Sequence, residues 1–266
     1  MAHTPDGTAF DLFGPIGAPP VVLIHGLGLN RQITWENIAP RLSEKYRVLS
    51  YDLPGHGDSK QLSDEVTLTS LGRQLLGLMD YVGFDRAVLV GFSLGGMINR
   101  RVALDTPEKV SALVVLNSPH ERGPELQATM EQNARESAAG GPEAVIDTLI
   151  ARWFTPEFQR RHAKKVTEVR EVILSNDKVN YAAHRWVLAH GVTELIRPMP
   201  PLRALSLVMT CENDTGSTPA MSHEIAAEIA GSRVRIVPGL QHLGLLEDPD
   251  AFVQPIQEFL SQTIRT

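Results

Sequence analysis

A serine set between glycines, followed far downstream by an acid and then by a histidine, is the pattern in this chain best suited to chemistry. The serine is Ser93, in Val88-Leu89-Val90-Gly91-Phe92-Ser93-Leu94-Gly95-Gly96. A serine hydroxyl is a weak nucleophile near neutral pH, so attack on a carbonyl needs a base and a third group that orients that base. Asp214, in Thr210-Cys211-Glu212-Asn213-Asp214, and His242, in Pro238-Gly239-Leu240-Gln241-His242, supply them in the order serine, acid, histidine. Glu212 competes with Asp214 for the acid, and Asp214 has the alternative of capping a helix near Thr218-Pro219. His3, His56, His120, His162, His184, His190 and His223 do not follow a strand after the acid, and His25 suits a different role.

That role concerns the negative oxygen of a tetrahedral intermediate, which needs N–H donors. The backbone amide of Leu94, next after the nucleophile, is one. The second comes from the loop His25-Gly26-Leu27-Gly28, where flexible glycines on either side of Leu27 let its amide approach the serine. The glycines around Ser93 serve a sharp strand-to-helix turn that larger residues would crowd.

These residues need a scaffold that carries them to one edge. Short apolar runs recur at Val21–Ile24, Val48–Tyr51, Ala87–Val90, Ala112–Leu116, Leu205–Met209 and Val234–Val237. Such near-continuous runs suit strands buried on both faces, as in a parallel sheet. Between them Thr67 caps a helix with Leu68, Leu71, Leu75, Leu78, Met79 and Val82 on one face and Gly83 at its end. A second helix follows Ser93, with Leu94, Met97, Ile98 and Val102 on one face and Pro107 beyond it. Strand alternating with helix predicts a doubly wound α/β sheet. At the N-terminus Asp6-Gly7 turns a short hairpin into Thr8–Phe13.

The alternation lapses between about His120 and Pro200, which reads as helix after helix with breaks at Gly140-Gly141-Pro142, near Thr155-Pro156 and at Ser175-Asn176-Asp177. Eleven basic and eleven acidic residues make this stretch neutral, so the formal charge of −6 resides in the flanking parts. Residues 1–119 and 201–266 are therefore expected to form the core, and 120–200 an inserted helical cap bounded by Ser118-Pro119 and Pro198-Met199-Pro200-Pro201.

The 266 residues hold 25 Lys+Arg against 31 Asp+Glu, an acidic balance that argues against a nucleic-acid partner. The chain shows neither an apolar run long enough to span a membrane nor a secretory start, and its reading is a soluble, cytoplasmic protein. Cys211, the single cysteine, excludes an internal disulfide and a thiolate metal cluster. His184 and His190 are spaced wrongly for two ligands on one helix face, so neither a metal nor a cofactor is expected. A homo-oligomer is compatible with the sequence.

At His25-Gly26-Leu27-Gly28, Asp52-Leu53-Pro54-Gly55-His56-Gly57-Asp58-Ser59, Gly91-Phe92-Ser93-Leu94-Gly95-Gly96, Asp214 with Pro219, and His242, the chain resembles the α/β-hydrolase fold family along nearly its whole length. The resemblance implies an eight-stranded, mostly parallel sheet with a helical cap after the sixth strand. Epoxide hydrolases and haloalkane dehalogenases of this fold use an aspartate nucleophile, which Ser93 argues against. Arg152-Trp153-Phe154-Thr155-Pro156-Glu157-Phe158 and Gly77–Asp80 are similar to segments of the 3-oxoadipate enol-lactonases. The chain departs from them at Ala182-Ala183-His184-Arg185-Trp186, and it has Cys211 where many relatives have glycine.

The reading is a serine hydrolase of a small-molecule carboxylic ester or lactone. Alternatives on the same fold are a carbon–carbon bond hydrolase, a cofactor-free oxygenase or perhydrolase, and a non-catalytic ligand receptor. Trp35, Trp153, Phe154 and Trp186 are candidate pocket walls, and Arg31, Arg152 or Arg185 could pair with a substrate carboxylate.

Overall fold

The computed structural model describes residues 2–61 and 64–264, so the ends of the expected 1–119 and 201–266 segments lie outside the described residues. Eight strands form one sheet: β1 (Ala2–His3), β2 (Ala9–Phe13), β3 (Pro20–Ile24), β4 (Arg47–Tyr51), β5 (Ala87–Phe92), β6 (Val110–Leu116), β7 (Ser206–Cys211) and β8 (Arg233–Val237). Their spatial order is β1-β2-β4-β3-β5-β6-β7-β8. The pairs β1·β2 and β2·β4 are antiparallel and the other five are parallel.

Burial explains the composition of the strands. Every residue of β5 and β7 is buried, while β1 is exposed and β8 alternates, as befits strands at the two edges. Each fully buried Val or Leu in the central strands contributes about 1.5–3 kcal/mol relative to exposure. The expected strands are all present, with shifted ends. β5 runs on to Phe92, directly beneath Ser93, and β7 begins at Ser206 rather than Leu205, which is 49% exposed, and continues through Cys211. The hairpin at Asp6-Gly7 is closed by hydrogen bonds between Thr4 and both Gly7 and Thr8.

The helices are α1 (Arg31–Trp35), α2 (Ala39–Leu42), α3 (Leu68–Tyr81), α4 (Leu94–Asp105), α5 (Pro124–Glu136), α6 (Ile146–Trp153), α7 (Pro156–Arg161), α8 (Ala163–Leu174), α9 (Lys178–His190), α10 (Pro219–Ala227), α11 (Gly244–Glu247) and α12 (Asp250–Thr263). Thr67 caps α3 as expected, and its own amide donates to Ser70 Oγ at 2.8 Å in a reciprocal capping box. Helix α4 packs on β5 and β6, and α10 on β7 and β8. Positions 120–200 contain α5 to α9 with short 3-10 turns and no strand. Breaks fall at the three expected places, and a fourth, at His162 between α7 and α8, has no Gly or Pro to announce it.

Hydrogen bonds tie residues 120–200 to the sheet and its loops, among them the following. Asn176 Nδ2 donates to the Gly28 carbonyl at 2.9 Å. Thr155 binds the Glu247 carboxylate through its amide at 2.8 Å and its hydroxyl at 2.6 Å. The Leu243 amide donates to the Trp153 carbonyl at 2.9 Å, coupling α6 to the loop that carries His242.

Among the described residues no helix is long and apolar enough to cross a membrane.

Candidate active site

Strand order reverses where β3 and β5 lie side by side, because the chain leaves β3 toward β4 on one side and later enters β5 on the other. Loops at the carboxyl ends of two such strands diverge and leave a crevice. His25-Gly26-Leu27-Gly28 follows β3 and Ser93 follows β5, so the topology places both at that crevice.

Ser93 has φ 54° and ψ −112°, a left-handed conformation that costs about 1–3 kcal/mol for a non-glycine residue. Its neighbours permit it. A Cβ on Gly91 would overlap the Gly95 carbonyl, and one on Gly95 would overlap the Ile24 carbonyl at the end of β3. The Ser93 amide donates to the Leu116 carbonyl at 2.8 Å, fixing the elbow to β6. The serine thus heads α4, where the helix dipole favours negative charge.

His242 and Asp214 follow β8 and β7. His242 Nδ1 lies 2.6 Å from Asp214 Oδ2. A carboxylate only accepts, so Nδ1 carries the proton and Nε2 of the neutral ring holds the free lone pair. Asp214 is 3% exposed. Burial pushes its carboxyl up, but the His242 ring and hydrogen bonds from His242, Asn117 and Ser217 together hold it below the ordinary carboxylate range. Its Oδ1 accepts from the Gly216 and Ser217 amides, each at 2.9 Å. Glu212, the competing acid, instead accepts from the Gly239 amide at 2.8 Å. The His242 ring is held between Phe92, 5.0 Å away, and Trp153, 5.5 Å away.

Asn117 is a residue the sequence reading missed. It follows β6 with φ 46°, and its Nδ2 donates to Asp214 Oδ2 at 2.9 Å and to Thr210 Oγ1 at 3.3 Å. A signal was present: like Ser93, Asn117 is a polar residue directly after a buried apolar strand. Cys211, also at this edge, is an unreactive neighbour, because burial pushes its thiol up to about 12.

The Leu94 amide lies in the first turn of α4 and has no partner within the helix. Among the described residues the Leu27 amide also has no acceptor, and Leu27 lines the same cavity as Ser93. A Cβ on Gly26 would come 3.1 Å from the Ser93 Cβ, so the loop lies close over the serine. Its shape is set from behind by histidines. The Gly28 amide donates to His56 Nε2 at 3.1 Å, and the Leu53 amide to His25 Nε2 at 2.9 Å.

A cavity of about 120 Å³ separates these groups from the helical segment. Ser93, His242 and Leu27 form one part of its wall, and Trp153, Arg152, Tyr181, Arg185 and Arg122 belong to the rest. Of the proposed pocket residues, Trp153 and Arg185 line this cavity, and Trp35, Phe154 and Trp186 do not. Trp35 is 1% exposed in the core, on a helix that packs against β3 and β4. Phe154 follows the last turn of α6 in extended backbone, which sends it to the opposite side from Trp153, stacked on Phe158 at 5.2 Å. Trp186, one residue past Arg185 and so turned around α9, stacks on His190 at 5.0 Å beneath the Arg135 guanidinium. Arg31 is also elsewhere, buried and neutralised by Asp11, Asp52 and Asp58.

The model described as the alpha/beta hydrolase family matches residues 21–254. Over 253 residues the chain is 25% identical to 3-oxoadipate enol-lactonase 2 of Acinetobacter baylyi, covering 94% of this chain and 91% of that one. It is 26% identical over 245 residues to the (E)-2-((N-methylformamido)methylene)succinate hydrolase of the same organism, covering 92% and 91%. Among solved structures, an enol-lactonase from Burkholderia xenovorans LB400 superposes with a TM-score of 0.85 at 29% identity, over 96% of each chain.

Proposed function

The chain belongs to the alpha/beta hydrolase family, and on that premise we propose that it hydrolyses a small carboxylic ester or lactone, with Ser93 as nucleophile, His242 as base and Asp214 as its orienting acid. One observation carries this reading: Ser93, on its strained elbow, shares a cavity with a His242 whose Nδ1 is bound to a buried carboxylate at 2.6 Å.

In the acylation step the Ser93 hydroxyl proton passes to His242 Nε2 as Oγ bonds to the substrate carbonyl carbon. The carbonyl π pair moves to oxygen, where the Leu27 and Leu94 amides receive the charge. Collapse expels the alcohol or enol oxygen, which takes the proton from Nε2. Water then adds by the same route and releases the acid and Ser93. With a lactone the leaving oxygen stays tethered to the acyl group, so water must outpace re-closure, and an enol leaving group helps by turning into a ketone. The names of the relatives support a lactone, since two of them are enol-lactonases.

The test is turnover of short p-nitrophenyl esters, five- and six-membered lactones and an enol-lactone, beside fluorophosphonate labelling. Labelling at Ser93, with turnover reduced at least about 10³-fold in Ser93→Ala, is the expected result. Labelling without turnover of any ester or lactone would favour cleavage of a carbon–carbon bond. An unlabelled Ser93 would sink the nucleophile assignment.

A further inference from the structure

Three arginines from separate elements line the cavity: Arg122 from the loop after β6, Arg152 from α6 and Arg185 from α9. Among the described residues no Asp or Glu lines it with them. This concentration of positive charge sits in a chain of formal charge −6. Among the described residues none of the three has a carboxylate partner. Arg152 Nε donates to Thr215 Oγ1 at 3.1 Å, and Arg185 lies beside the Tyr181 hydroxyl.

Arg122 is the most committed of the three. Its Nη1 donates to Gln127 Oε1 at 3.1 Å and to the Ala189 carbonyl at 3.3 Å, and its Nη2 to the Leu188 carbonyl at 3.5 Å. These acceptors are neutral and account for three of the five N–H groups of a guanidinium. Glu131 enters the network only through Gln127, whose Nε2 donates to it at 2.8 Å. Burial pushes Arg122 down to about 10, which still leaves it charged at neutral pH. A guanidinium held in place at a cavity wall without a counter-charge is costly unless the cavity's occupant supplies one.

We propose that the substrate carries a carboxylate remote from the bond that Ser93 attacks, and that Arg122 is its anchor, with Arg152 and Arg185 beside it. The inference rests on the hydrolase reading above and narrows it to acidic esters or lactones. A planar carboxylate can take both remaining N–H groups of Arg122 in the paired geometry that suits a guanidinium. Such an anchor fixes which end of a small substrate meets Ser93.

The test uses two esters with one leaving group and equal acyl length, mono-p-nitrophenyl adipate and p-nitrophenyl hexanoate. The wild type should prefer the acidic ester by about tenfold or more in kcat/KM, and Arg122→Gln should reduce that preference about 10- to 100-fold, mostly through KM. Arg122→Lys, which keeps the charge without the fork, should recover part of the preference. Equal rates on both esters in the wild type, or a proportional fall on both in Arg122→Gln, would overturn the proposal; the latter is what a mere staple between the β6 loop and α9 would give. A calorimetric titration with free adipate separates the two readings. Binding that Arg122→Gln abolishes, in a protein that turns over neither of these esters nor any lactone of the panel, keeps the anion site and removes the ester or lactone hydrolase. No binding to the wild type, with hexanoate turned over through Ser93, removes the anion site and keeps the hydrolase.

Discussion

Under the proposed mechanism, Asn117 is a side chain outside Ser93, His242 and Asp214 that acts on them through the carboxylate. Its Nδ2 and the protonated Nδ1 of His242 share a single oxygen of Asp214, so losing Asn117 frees a lone pair and removes one of the bonds that keep the carboxylate ionised. Asparagine also tolerates φ 46° better than most residues. Asn117→Gly keeps that backbone and deletes only the amide. Its expected effect is a fall in kcat of about tenfold with a stability loss of about 1–2 kcal/mol, and an acid limb of the kcat/KM profile moved to higher pH. An unmoved acid limb would mean that Asn117 merely fills space. The fates of Arg31 and Trp35 mark the limit of reading at this scale. Their types suit a binding pocket, yet Asp11 of β2 with Asp52 and Asp58 of the loop after β4 claim the one and the core the other, and sequence spacing records neither.

The strands, α3, the elbow and the helical character of 120–200 were legible because each is written locally, in apolar runs, a cap or a glycine. The break at His162 was not, since no Gly or Pro marks it and the Phe158 ring stacks on His162 at 4.5 Å across it. Nor could the β7 boundary be read, because Leu205 is as apolar as the residues that follow it and only pairing with β6 and β8 selects Ser206–Cys211. The same local logic gives a contrast between two helical glycines. In α4, Gly95→Ala would drive a methyl into the Ile24 carbonyl and separate the elbow from the Leu27 loop. In α3, Gly77 is exposed with open space around it. Gly77→Ala should stabilise by about 0.5–1 kcal/mol through helix propensity, whereas Gly95→Ala should cost about 3 kcal/mol or more and abolish turnover. Urea unfolding of the two variants, with an activity assay, checks both; a neutral Gly95→Ala would show that the close packing of α4 on β3 is dispensable.

The two parts of the molecule meet over a row of buried imidazoles, and this seam ties stability to pH. His25 and His56 lie 5.4 Å apart beneath the Leu27 loop, and His184 of α9 meets His56 edge-on at 4.6 Å. Each Nδ1 faces a backbone carbonyl: Gly26, Pro54 and Asn180 respectively. His25 and His56 use Nε2 as acceptors, which requires neutral rings, and His184 Nε2 is buried without a partner. The charged groups facing this row are Asp52, 4.0 Å from His25, and Arg31. Burial lowers all three histidines, His56 well below its ordinary value and His184 to about 4. Unfolded histidines titrate near 6.5, so their neutral burial contributes stability above that pH, which is lost as the pH falls toward the folded values. For His184 the loss is on the order of 3 kcal/mol once the pH reaches about 4. Asp214, with its lowered carboxyl, adds a loss of the same sign at the acid end. Unfolding free energy measured between pH 7 and pH 4 should therefore fall steeply in the wild type and less steeply in His184→Phe, which keeps an edge-on ring against His56 but cannot take a proton. An identical slope in the two proteins would place the acid sensitivity outside this seam. Because His56 holds the Gly28 amide and Asn176 of the helical segment holds the Gly28 carbonyl, protonation of the row should loosen the amides over Ser93 before the sheet melts. Turnover should accordingly decline at a higher pH than global unfolding does, and by a smaller interval in the His184→Phe variant.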